Sequence, residues 1–289
     1  MVAREITASA TIASEVRRVV PDPPVRWFHR HSGFVRVTHW VNALCFILLL
    51  MSGLQIFNAH PALYVGADSD FEHPTISITA QRADHGIKGE TLLFGRQFDT
   101  TGVLGVSSMN GQPTPRAFPS WSTIPSYQDL ATGRRWHFFF AWLLVLNGLA
   151  YLVLGFAKGH FRHDLLPSAA ELRHLGTDII AHLRLRFPRG DTAKRYNVLQ
   201  QLAYLAAVFL LLPLIVLTGL TMSPGIDTAV PQLLSAFGGR QSARLIHFLA
   251  ASGLVLFVIV HIVMVLVSGV WNNIRSMITG WYDLGTAPR

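Results

Sequence analysis

The chain has 289 residues, of which 51% are hydrophobic and only 14% are charged, and its formal net charge is +8. Because soluble domains carry about 25% charged residues, this composition favours membrane-spanning segments and excludes a disordered chain. The single cysteine, Cys45, excludes an internal disulfide, a cysteine-based zinc site and an iron–sulfur cluster. In a membrane protein a basic balance indicates basic cytoplasmic loops rather than nucleic-acid binding.

Four long apolar runs follow one another along the chain, at residues 37–57, 138–156, 202–222 and 245–270. Each can cross a bilayer core as a helix, since about 20 residues at the helical rise cover roughly 30 Å. Pro213 is expected to kink the third run without ending it, because neighbouring helices can satisfy the freed carbonyl. The predicted fold is an all-α integral membrane protein, a four-helix up-and-down transmembrane bundle with a long extracytoplasmic loop. Buried helices of a soluble protein are the weaker alternative.

The segments outside the runs set the predicted domain organisation. Residues 1–32 contain arginines but no apolar run, so they are predicted to be a flexible cytoplasmic arm rather than a signal peptide. The four-helix membrane domain occupies residues 33–270, and residues 271–289 form a cytoplasmic tail. The side with the arm, the second connection and the tail holds 16 Lys and Arg, against 8 on the other side. Both termini are therefore predicted to be cytoplasmic.

The long first loop, residues 58–133, is rich in Gly, Pro, Ser, Thr and Asp. It is too long for a simple connection, so it is either a docking surface or disordered, and docking is the preferred interpretation. We expect a small irregular cap with one short strand at residues 75–80.

The second connection contains a predicted amphipathic helix at about residues 168–184. Ser168 and Glu171 form a capping-box pattern, and the apolar residues that follow share one face. Such a helix either lies in the membrane interface or packs against other cytoplasmic segments.

Four of the 13 histidines lie in or at the spans: His39, His137, His247 and His261. His247 and His261 are 14 residues apart, so on one helix they lie about 40° apart in direction and about 21 Å apart along the axis. Because the helices alternate in direction, His39 is predicted to share a depth with His261. His137 is predicted to share the opposite depth with His247.

Two histidines at one depth on facing helices suit a flat macrocycle whose iron is bound from both faces, which is a haem. Two such levels would form a two-haem path across the membrane. A zinc site would need three or four ligands at one depth, and a histidine proton relay usually includes Asp or Glu, which the four runs lack. A purely structural role for the histidines stays open.

Arginines lie close to these histidines in sequence: Arg36, Arg134, Arg135 and Arg244. Each could hold a haem propionate through charge-assisted hydrogen bonds, or could extend to lipid headgroups instead. Three glycines in the runs permit close approach of a helix or a macrocycle, and ordinary helix packing explains them equally well. They are Gly53, Gly148 and Gly253.

The chain resembles the bacterial di-haem cytochrome b family, of the cytochrome b561 type. That family includes membrane subunits of Ni/Fe-hydrogenases, formate dehydrogenase and thiosulfate reductase. The resemblance rests on R-V-T-H-W-V-N (36–42), R-R-W-H (134–137), R-Y-N-V-L-Q-Q (195–201) and the His-x13-His pattern within 244–261. It implies two non-covalent haems b, with His39 and His261 on the inner haem and His137 and His247 on the outer haem. It also implies a multi-pass protein of the bacterial inner membrane.

The resemblance further implies a quinone site near the inner haem. In the formate dehydrogenase subunit, Y-N-A-G-Q-K opens the third helix and its Asn contacts the quinone. Asn197 and Gln200 match that segment, whereas Leu199 replaces the family Gly and Gln201 replaces the Lys, which puts the backbone contact in doubt. Asn197 could instead serve only as a helix cap.

The expected function is electron transfer between a periplasmic redox partner and the quinone pool. The long outer loop is similar to that of thiosulfate-reductase-type cytochromes, which implies a molybdopterin-dependent partner docked on residues 58–133. Membrane lipid is the other expected contact, and no catalytic side chain is predicted. One alternative is a stand-alone enzyme that oxidises superoxide or another small species and reduces quinone. Another is a non-redox anchor or transporter.

Overall fold

The computed structural model describes residues 26–84, 86–109, 111–173, 175–184 and 196–285. Most of the predicted N-terminal arm lies outside these residues, as does Arg195 of the third motif. The helices are α1 (Gly33–Phe57), α2 (Leu130–Ala157), α3 (Ala169–Arg173), α4 (Leu175–Leu183), α5 (Val198–Ala206), α6 (Leu212–Thr221), α7 (Pro224–Ala229), α8 (Pro231–Ala236), α9 (Arg240–Val267) and α10 (Val270–Thr279). The strands are β1 (Trp27–His29), β2 (Ala62–Leu63), β3 (Ile76–Ala83), β4 (Gly86–Leu93), β5 (Arg96–Asp99), β6 (Val106–Met109), β7 (Gln112–Pro115) and β8 (Trp281–Asp283).

The predicted four-helix membrane bundle is confirmed. Four helices are long and apolar enough to cross a membrane: α1, α2, the continuous span Val198–Thr221 and α9. They begin earlier than the apolar runs because their first turns are polar. In α2, for example, Asp129 is the N-cap and accepts a hydrogen bond from Thr132 N at 3.0 Å.

The third span is one continuous helix, but its α-helical geometry is interrupted close to Pro213, where a kink was expected. A π-helical turn, Ala207–Leu211, joins α5 to α6, and Pro213 lies in the first turn of α6. Proline has no N–H to donate to the preceding turn, and a π turn is one way for a helix to accommodate the resulting gap.

The bundle consists of two helix pairs, α1 with α2 and α6 with α9. A buried polar contact joins α1 to α2: Asn147 Nδ2 donates to Thr38 O at 2.9 Å and to Asn42 Oδ1 at 2.7 Å. Interhelical hydrogen bonds of this kind stabilise helix association in a membrane, where apolar burial alone discriminates poorly.

The segment between α1 and α2, which we call the cap, is more regular than predicted. The expected strand is present as β3, but it belongs to a four-stranded antiparallel sheet in the order β2–β3–β4–β5, beside a β6–β7 hairpin. Alternation was weak in the sequence because β3 is buried on both faces at its start, at Ile76, Ser77 and Ile78, and is exposed at its end. Buried residues of the cap pack on the ends of α1 and α9: Leu63, Ile76, Ile78 and Ala117 against Phe57 and Leu245.

The opposite end of the bundle, which we call the terminal side, is ordered by pairing of the two chain ends. β1 pairs with β8 in antiparallel register, Phe28 opposite Tyr282. The segment Trp27–His29 of the predicted flexible arm is therefore a strand, and α10 and β8 lie in the predicted tail. The strand pairing was missed because two three-residue strands carry no periodic signal of their own.

The predicted connection helix is present as α3 and α4, and its capping box is confirmed. Ser168 N donates to Glu171 Oε2 at 2.7 Å, and Glu171 N donates to Ser168 Oγ at 3.3 Å. Leu172, Ile179 and Ile180 are exposed on these helices, which favours the interfacial interpretation.

A buried arginine connects the cap to α1. Arg116 is only 3% exposed, and its guanidinium donates to Gln55 Oε1 at 2.9 Å, Thr123 Oγ1 at 2.6 Å and Ser126 O at 2.6 Å. Gln55 Nε2 in turn donates to Tyr127 O at 2.8 Å. Burial lowers the pKa of Arg116, yet an arginine remains cationic at neutral pH. These neutral acceptors replace the hydration of its two terminal nitrogens, whereas Nε is buried without a partner among the described residues.

We expect Arg116→Met to lower the free energy of unfolding by at least about 2 kcal/mol, because it strands buried acceptors that no longer have a donor. Thermal unfolding and hydrogen exchange of residues 106–127 measure the effect. The matched control is Arg96→Met in the exposed strand β5, which should leave both unchanged. Unaltered exchange in the Arg116 variant would contradict the anchoring role.

Candidate functional site

The structure brings together the two histidine pairs that residue spacing and helix direction predict. His137 on α2 and His247 on α9 have ring centres 6.2 Å apart, with the rings inclined at 59°. His39 on α1 and His261 on α9 have ring centres 6.2 Å apart, inclined at 57°. We call these the cap-side pair and the terminal-side pair. Each pair spans the two halves of the bundle, because α9 belongs to one helix pair and α1 and α2 form the other.

The spacing within each pair fits one metal ion between the rings. A metal–imidazole bond is about 2 Å long and the bonding nitrogen lies roughly 1.1 Å from its ring centre, so two rings on opposite faces of an iron are about 6.3 Å apart. Both observed separations are 6.2 Å. Within the described chain, no group of three or more His, Cys, Asp or Glu could hold a metal ion. The donor set therefore fits a macrocyclic iron, which needs only two axial protein ligands, and not a zinc ion.

Hydroxyl groups orient both imidazoles of the cap-side pair. Ser52 Oγ lies 3.1 Å from His137 Nδ1, and Thr218 Oγ1 lies 3.1 Å from His247 Nδ1. Each hydroxyl also donates to a carbonyl one turn earlier in its own helix, Ser52 to Leu48 O at 2.6 Å and Thr218 to Leu214 O at 2.7 Å. Since the hydroxyl proton is used in that bond, the oxygen accepts from Nδ1–H. The Nε2 lone pair of each ring is then available for a metal.

A glycine follows each of these hydroxyl residues and gives the imidazole its space. A Cβ added at Gly53 would lie 3.4 Å from His137 Cε1, and one added at Gly219 would lie 3.3 Å from His247 Cε1. The two Ser/Thr-Gly pairs therefore form equivalent seats in the two halves of the bundle. Of the other glycines singled out in the sequence, Gly253 contacts Leu211, whereas no described atom lies within 4 Å of a Cβ at Gly148.

The terminal-side pair is held by aromatic rings instead. Trp40 lies edge-on to His39 with ring centres 5.2 Å apart, and Phe257 stacks on His261 at 6.0 Å. Tyr204 also contacts His261, at 6.4 Å. His39 Nδ1 is buried without a hydrogen-bond partner among the described residues. The two pairs thus share one separation but differ in what sets the ring orientation.

The predicted arginines have different surroundings. Arg244 lies near the cap-side pair and donates to Gln241 Oε1 at 2.8 Å and His60 O at 3.4 Å. Arg36 donates to Ile278 O and so joins α1 to α10. Arg135 is exposed. Arg134 is also exposed and lies over the ring of Phe138 at 5.6 Å.

Asn197 and Gln200 form a capping box at the start of α5. Asn197 Oδ1 accepts from Leu199 N at 2.9 Å, and Gln200 Oε1 accepts from Asn197 N at 3.4 Å. The capping role that the sequence left open for Asn197 is therefore present, and both amide oxygens are used in it.

A cavity of about 270 Å³ opens on the terminal side, between the start of α1 and the turn after α2. Tyr196 connects this cavity to the terminal-side pair, since its ring lies 5.4 Å from that of Tyr204, which contacts His261. The cavity is lined by Phe28, His29, Arg30, His31, Ser32, Val35, His160, His163, Asp164 and Tyr196.

Several of these contacts were not anticipated from the sequence. Ser52, Thr218, Gly219 and Tyr204 all touch a histidine of the pairs, and none was singled out beforehand. A Ser-Gly or Thr-Gly dipeptide occurs at residues 52–53 and 218–219, but also at 132–133 and 252–253, where it contacts no paired histidine, so the dipeptide alone does not identify these contacts. Where such a pair faces a histidine on a neighbouring helix, the glycine leaves space for the imidazole and the hydroxyl orients it.

Four membrane-spanning helices that bring paired histidines to two depths are the arrangement of a membrane cytochrome of the b type. Residues 30–280 match the family described as prokaryotic cytochrome b561, and the chain belongs to that family. Membership implies that it binds haem b. The chain is also 28% identical over 235 residues to YedZ1 of Azospira oryzae, covering 81% of this chain and 89% of that protein. The name of that relative assigns it provisionally as a protein-methionine-sulfoxide reductase subunit.

We expect Ser52→Ala and Thr218→Val each to raise the midpoint potential of a haem b component. Loss of the hydroxyl acceptor weakens the hydrogen bonding of Nδ1–H, so the imidazole becomes a weaker electron donor, which favours reduced iron. Potentiometric titration of the haem absorbance measures the shift. Ser252→Ala is the matched control, because that exposed hydroxyl donates to Phe248 O of its own helix at 2.9 Å. Equal potentials in all four proteins would contradict the orienting role of the hydroxyls.

Proposed function

We propose that this protein is an electron-transfer subunit that holds two non-covalent haems b, one at each histidine pair. His137 and His247 would supply the axial ligands of the cap-side haem, and His39 and His261 those of the terminal-side haem. The observation that carries the proposal is the equal 6.2 Å separation of the rings in both pairs. When bound, each haem supplies a one-electron carrier.

The depth of the two pairs supports transfer across the membrane. His247 and His261 both lie on α9, and 14 residues of helix separate them by about 21 Å along the axis. That separation is most of the roughly 30 Å thickness of a bilayer core. The four spans and the family membership make the chain a multi-pass membrane protein. We propose the bacterial inner membrane with both termini cytoplasmic, in keeping with the 16 to 8 distribution of Lys and Arg.

Charged side chains at the two ends would hold the haem propionates. Arg244 is the candidate at the cap-side level, where it lies one turn before His247 on α9. Arg36 is the candidate at the terminal side, one turn before His39, with Arg135 as the further candidate near the start of α2. Guanidinium groups suit this task because they remain charged and can bind a carboxylate in two-pronged fashion.

The cap is the proposed docking surface for a periplasmic redox partner, molybdopterin-dependent as the family resemblance implies. Two features support this proposal. The relative YedZ1 carries the name of a reductase subunit, and the cap presents apolar side chains to solvent at Phe94, Phe98 and Val103. Solvent-exposed aromatic groups next to a polar sheet edge are typical of a protein-binding surface.

Quinone is the proposed exchangeable electron carrier, at the terminal-side cavity. The cavity supports this because it is linked through Tyr196 and Tyr204 to His261. Asn197 and Gln200 remain the proposed quinone contacts; they follow the lining residue Tyr196 in sequence and are not themselves among the residues that line the cavity. Their amide oxygens cap α5, so the NH₂ groups are the ends that could donate to a quinone carbonyl.

We expect purified full-length protein to contain two haems b per chain and His247→Ala to contain one or none. A dithionite-reduced minus oxidised spectrum with a protein assay gives the ratio. The control is His73→Ala, which removes an exposed cap histidine. Haem-free protein from haem-replete cells, or an unchanged ratio in His247→Ala, would contradict the proposed ligand.

We expect a short-chain quinol to reduce the haems of the purified protein without any partner. Stopped-flow absorbance follows the reaction, and Asn197→Leu should slow it if the amide contacts the quinone. Asn197→Asp keeps the helix-capping oxygen and removes the amide donor, so it separates binding from capping. A wild-type protein that does not respond to quinol would refute the quinone proposal.

A further inference from the structure

The cavity on the terminal side contains an imidazole–carboxylate pair that the proposed electron path does not use. His160 Nδ1 lies 2.7 Å from Asp164 Oδ2, one helical turn later, in the segment that follows α2. Both residues line the cavity. His160 Nε2 lies 3.2 Å from the hydroxyl of Tyr151 on α2. Three exchangeable groups therefore form one continuous chain.

The hydrogen-bonded chain of Tyr151, His160 and Asp164 runs from largely buried groups to an exposed one. The side chain of His160 is 11% exposed, whereas that of Asp164 is 54% exposed. Phe34 and Phe161 pack against the imidazole, with ring centres 5.8 Å and 5.7 Å away. The imidazole is thus shielded by aromatic rings, and the carboxylate bonded to it reaches water on the terminal side.

The bonding pattern sets which nitrogen of His160 can gain or lose a proton. In the neutral ring Nδ1 faces the carboxylate and carries the proton, so Nε2 is the nitrogen that can take up another proton. The hydroxyl of Tyr151 can donate to a neutral Nε2 and can accept from a protonated one. Asp164 stabilises the imidazolium that forms when Nε2 takes up a proton.

Other titratable groups surround His160. The nearby imidazole of His31 differs from it in having no carboxylate partner among the described residues. Burial, reinforced by Arg30, lowers the pKa of His31 to about 4, so His31 stays neutral near pH 7. Its Nδ1 lies 3.3 Å from the hydroxyl of Tyr196. The remaining groups that face the cavity or flank it are His29, His163 and Lys158. Of the two buried imidazoles, His160 is the one bonded to a carboxylate.

We propose that Tyr151, His160 and Asp164 form the proton-transfer path that serves quinone chemistry in this cavity. The inference rests on the proposed function, since it assigns residues to the proton half of the quinone reaction. Oxidation of one quinol breaks two O–H bonds and releases two protons and two electrons. The electrons leave one at a time toward the redox partner proposed above. For each proton, His160 Nε2 takes up the proton and Nδ1 passes its own proton to the carboxylate of Asp164, which releases it to water. The imidazole then returns its remaining proton from Nε2 to Nδ1 before the next transfer, and the reverse direction takes up two protons.

The proposed proton path also assigns the proton exchange to one side of the membrane. The exposed carboxylate of Asp164 lies at the same end of the bundle as the paired strands β1 and β8, whereas the cap lies at the other end. Protons of the quinone reaction would therefore exchange with water on the terminal side, and the redox partner would meet the protein on the cap side.

The test compares full-length haem-loaded variants in stopped-flow reduction by a short-chain ubiquinol. We expect His160→Gln and Asp164→Asn to slow haem reduction about a hundredfold, the scale of a lost general base. Asp164→Glu should recover most of the rate because it restores the carboxylate. The matched control is His73→Gln, which breaks a similar pair on the cap, where His73 Nδ1 lies 3.1 Å from Asp70 Oδ2.

A second reductant separates proton transfer from electron transfer and from folding. Reduced methyl viologen donates one electron and no proton, so it should reduce all of these variants at the wild-type rate. Wild-type rates with ubiquinol in both His160→Gln and Asp164→Asn would overturn the proton path and leave the proposed function intact. Equal slowing with both reductants would overturn it too, since the pair would then be structural. A wild-type protein that methyl viologen reduces and ubiquinol does not would refute the quinone reaction itself.

Discussion

The requirement that a buried imidazole keep its nitrogens bonded governs the core of this structure. In a bilayer no water is available to satisfy a polar side chain, so each intramembrane histidine needs a partner from the protein or from a ligand. At the cap-side level, Ser52 and Thr218 occupy the Nδ1 atoms of His137 and His247. One nitrogen of each ring is thereby committed to the protein, and the other is directed to the space between the helix pairs. The neighbouring glycines follow from the same requirement, because a side chain at either position would crowd the seated ring.

The two levels differ in how far the protein itself meets this requirement. Ser52 and Thr218 bond the Nδ1 atoms of the cap-side pair, whereas His39 Nδ1 is buried without a hydrogen-bond partner among the described residues. The cap-side rings are fixed by hydroxyl groups on neighbouring helices, in two equivalent seats. The terminal-side rings are fixed by contacts with Trp40, Phe257 and Tyr204. Hydrogen bonds to the second nitrogen of a ligating imidazole increase its basicity, whereas aromatic packing shields the site from water. Two bound haems would therefore have distinct potentials in a protein whose ligand spacing is the same at both levels.

The cap and the terminal side of the bundle also differ in structure. The cap is joined to α1 by a buried cation, Arg116, through Gln55, which lies one turn beyond Ser52. The residue that binds the cap and the residue that orients His137 therefore lie one turn apart on α1. The terminal side combines a strand from each chain end with a cavity that contains the His160–Asp164 pair. The proposed partner surface at one end and the proposed proton path at the other would be complementary features of a transmembrane electron carrier.

The sequence by itself determined the four spans, their directions and the two histidine levels. Hydropathy and the 3.6-residue period are local properties, and His247 and His261 lie on one helix, so their relative placement follows from counting residues. The helix ends were less accurate, since polar first turns carry no hydropathy signal. The β-structure of the cap and the pairing of the chain ends were missed, because short strands depend on partners distant in the sequence.

Only the tertiary structure decided what touches each histidine. Ser52 and His137 are 85 residues apart, and Arg116 and Gln55 are 61 apart, so no periodic pattern connects them. Their contacts depend on how far each helix rotates about its axis, and that rotation is set by packing of the whole bundle. The same holds for the cavity beside Tyr196, which three separate segments enclose. Asn197 and Gln200 illustrate the limit, since their sequence matched a ligand motif and the fold uses their oxygens to cap a helix.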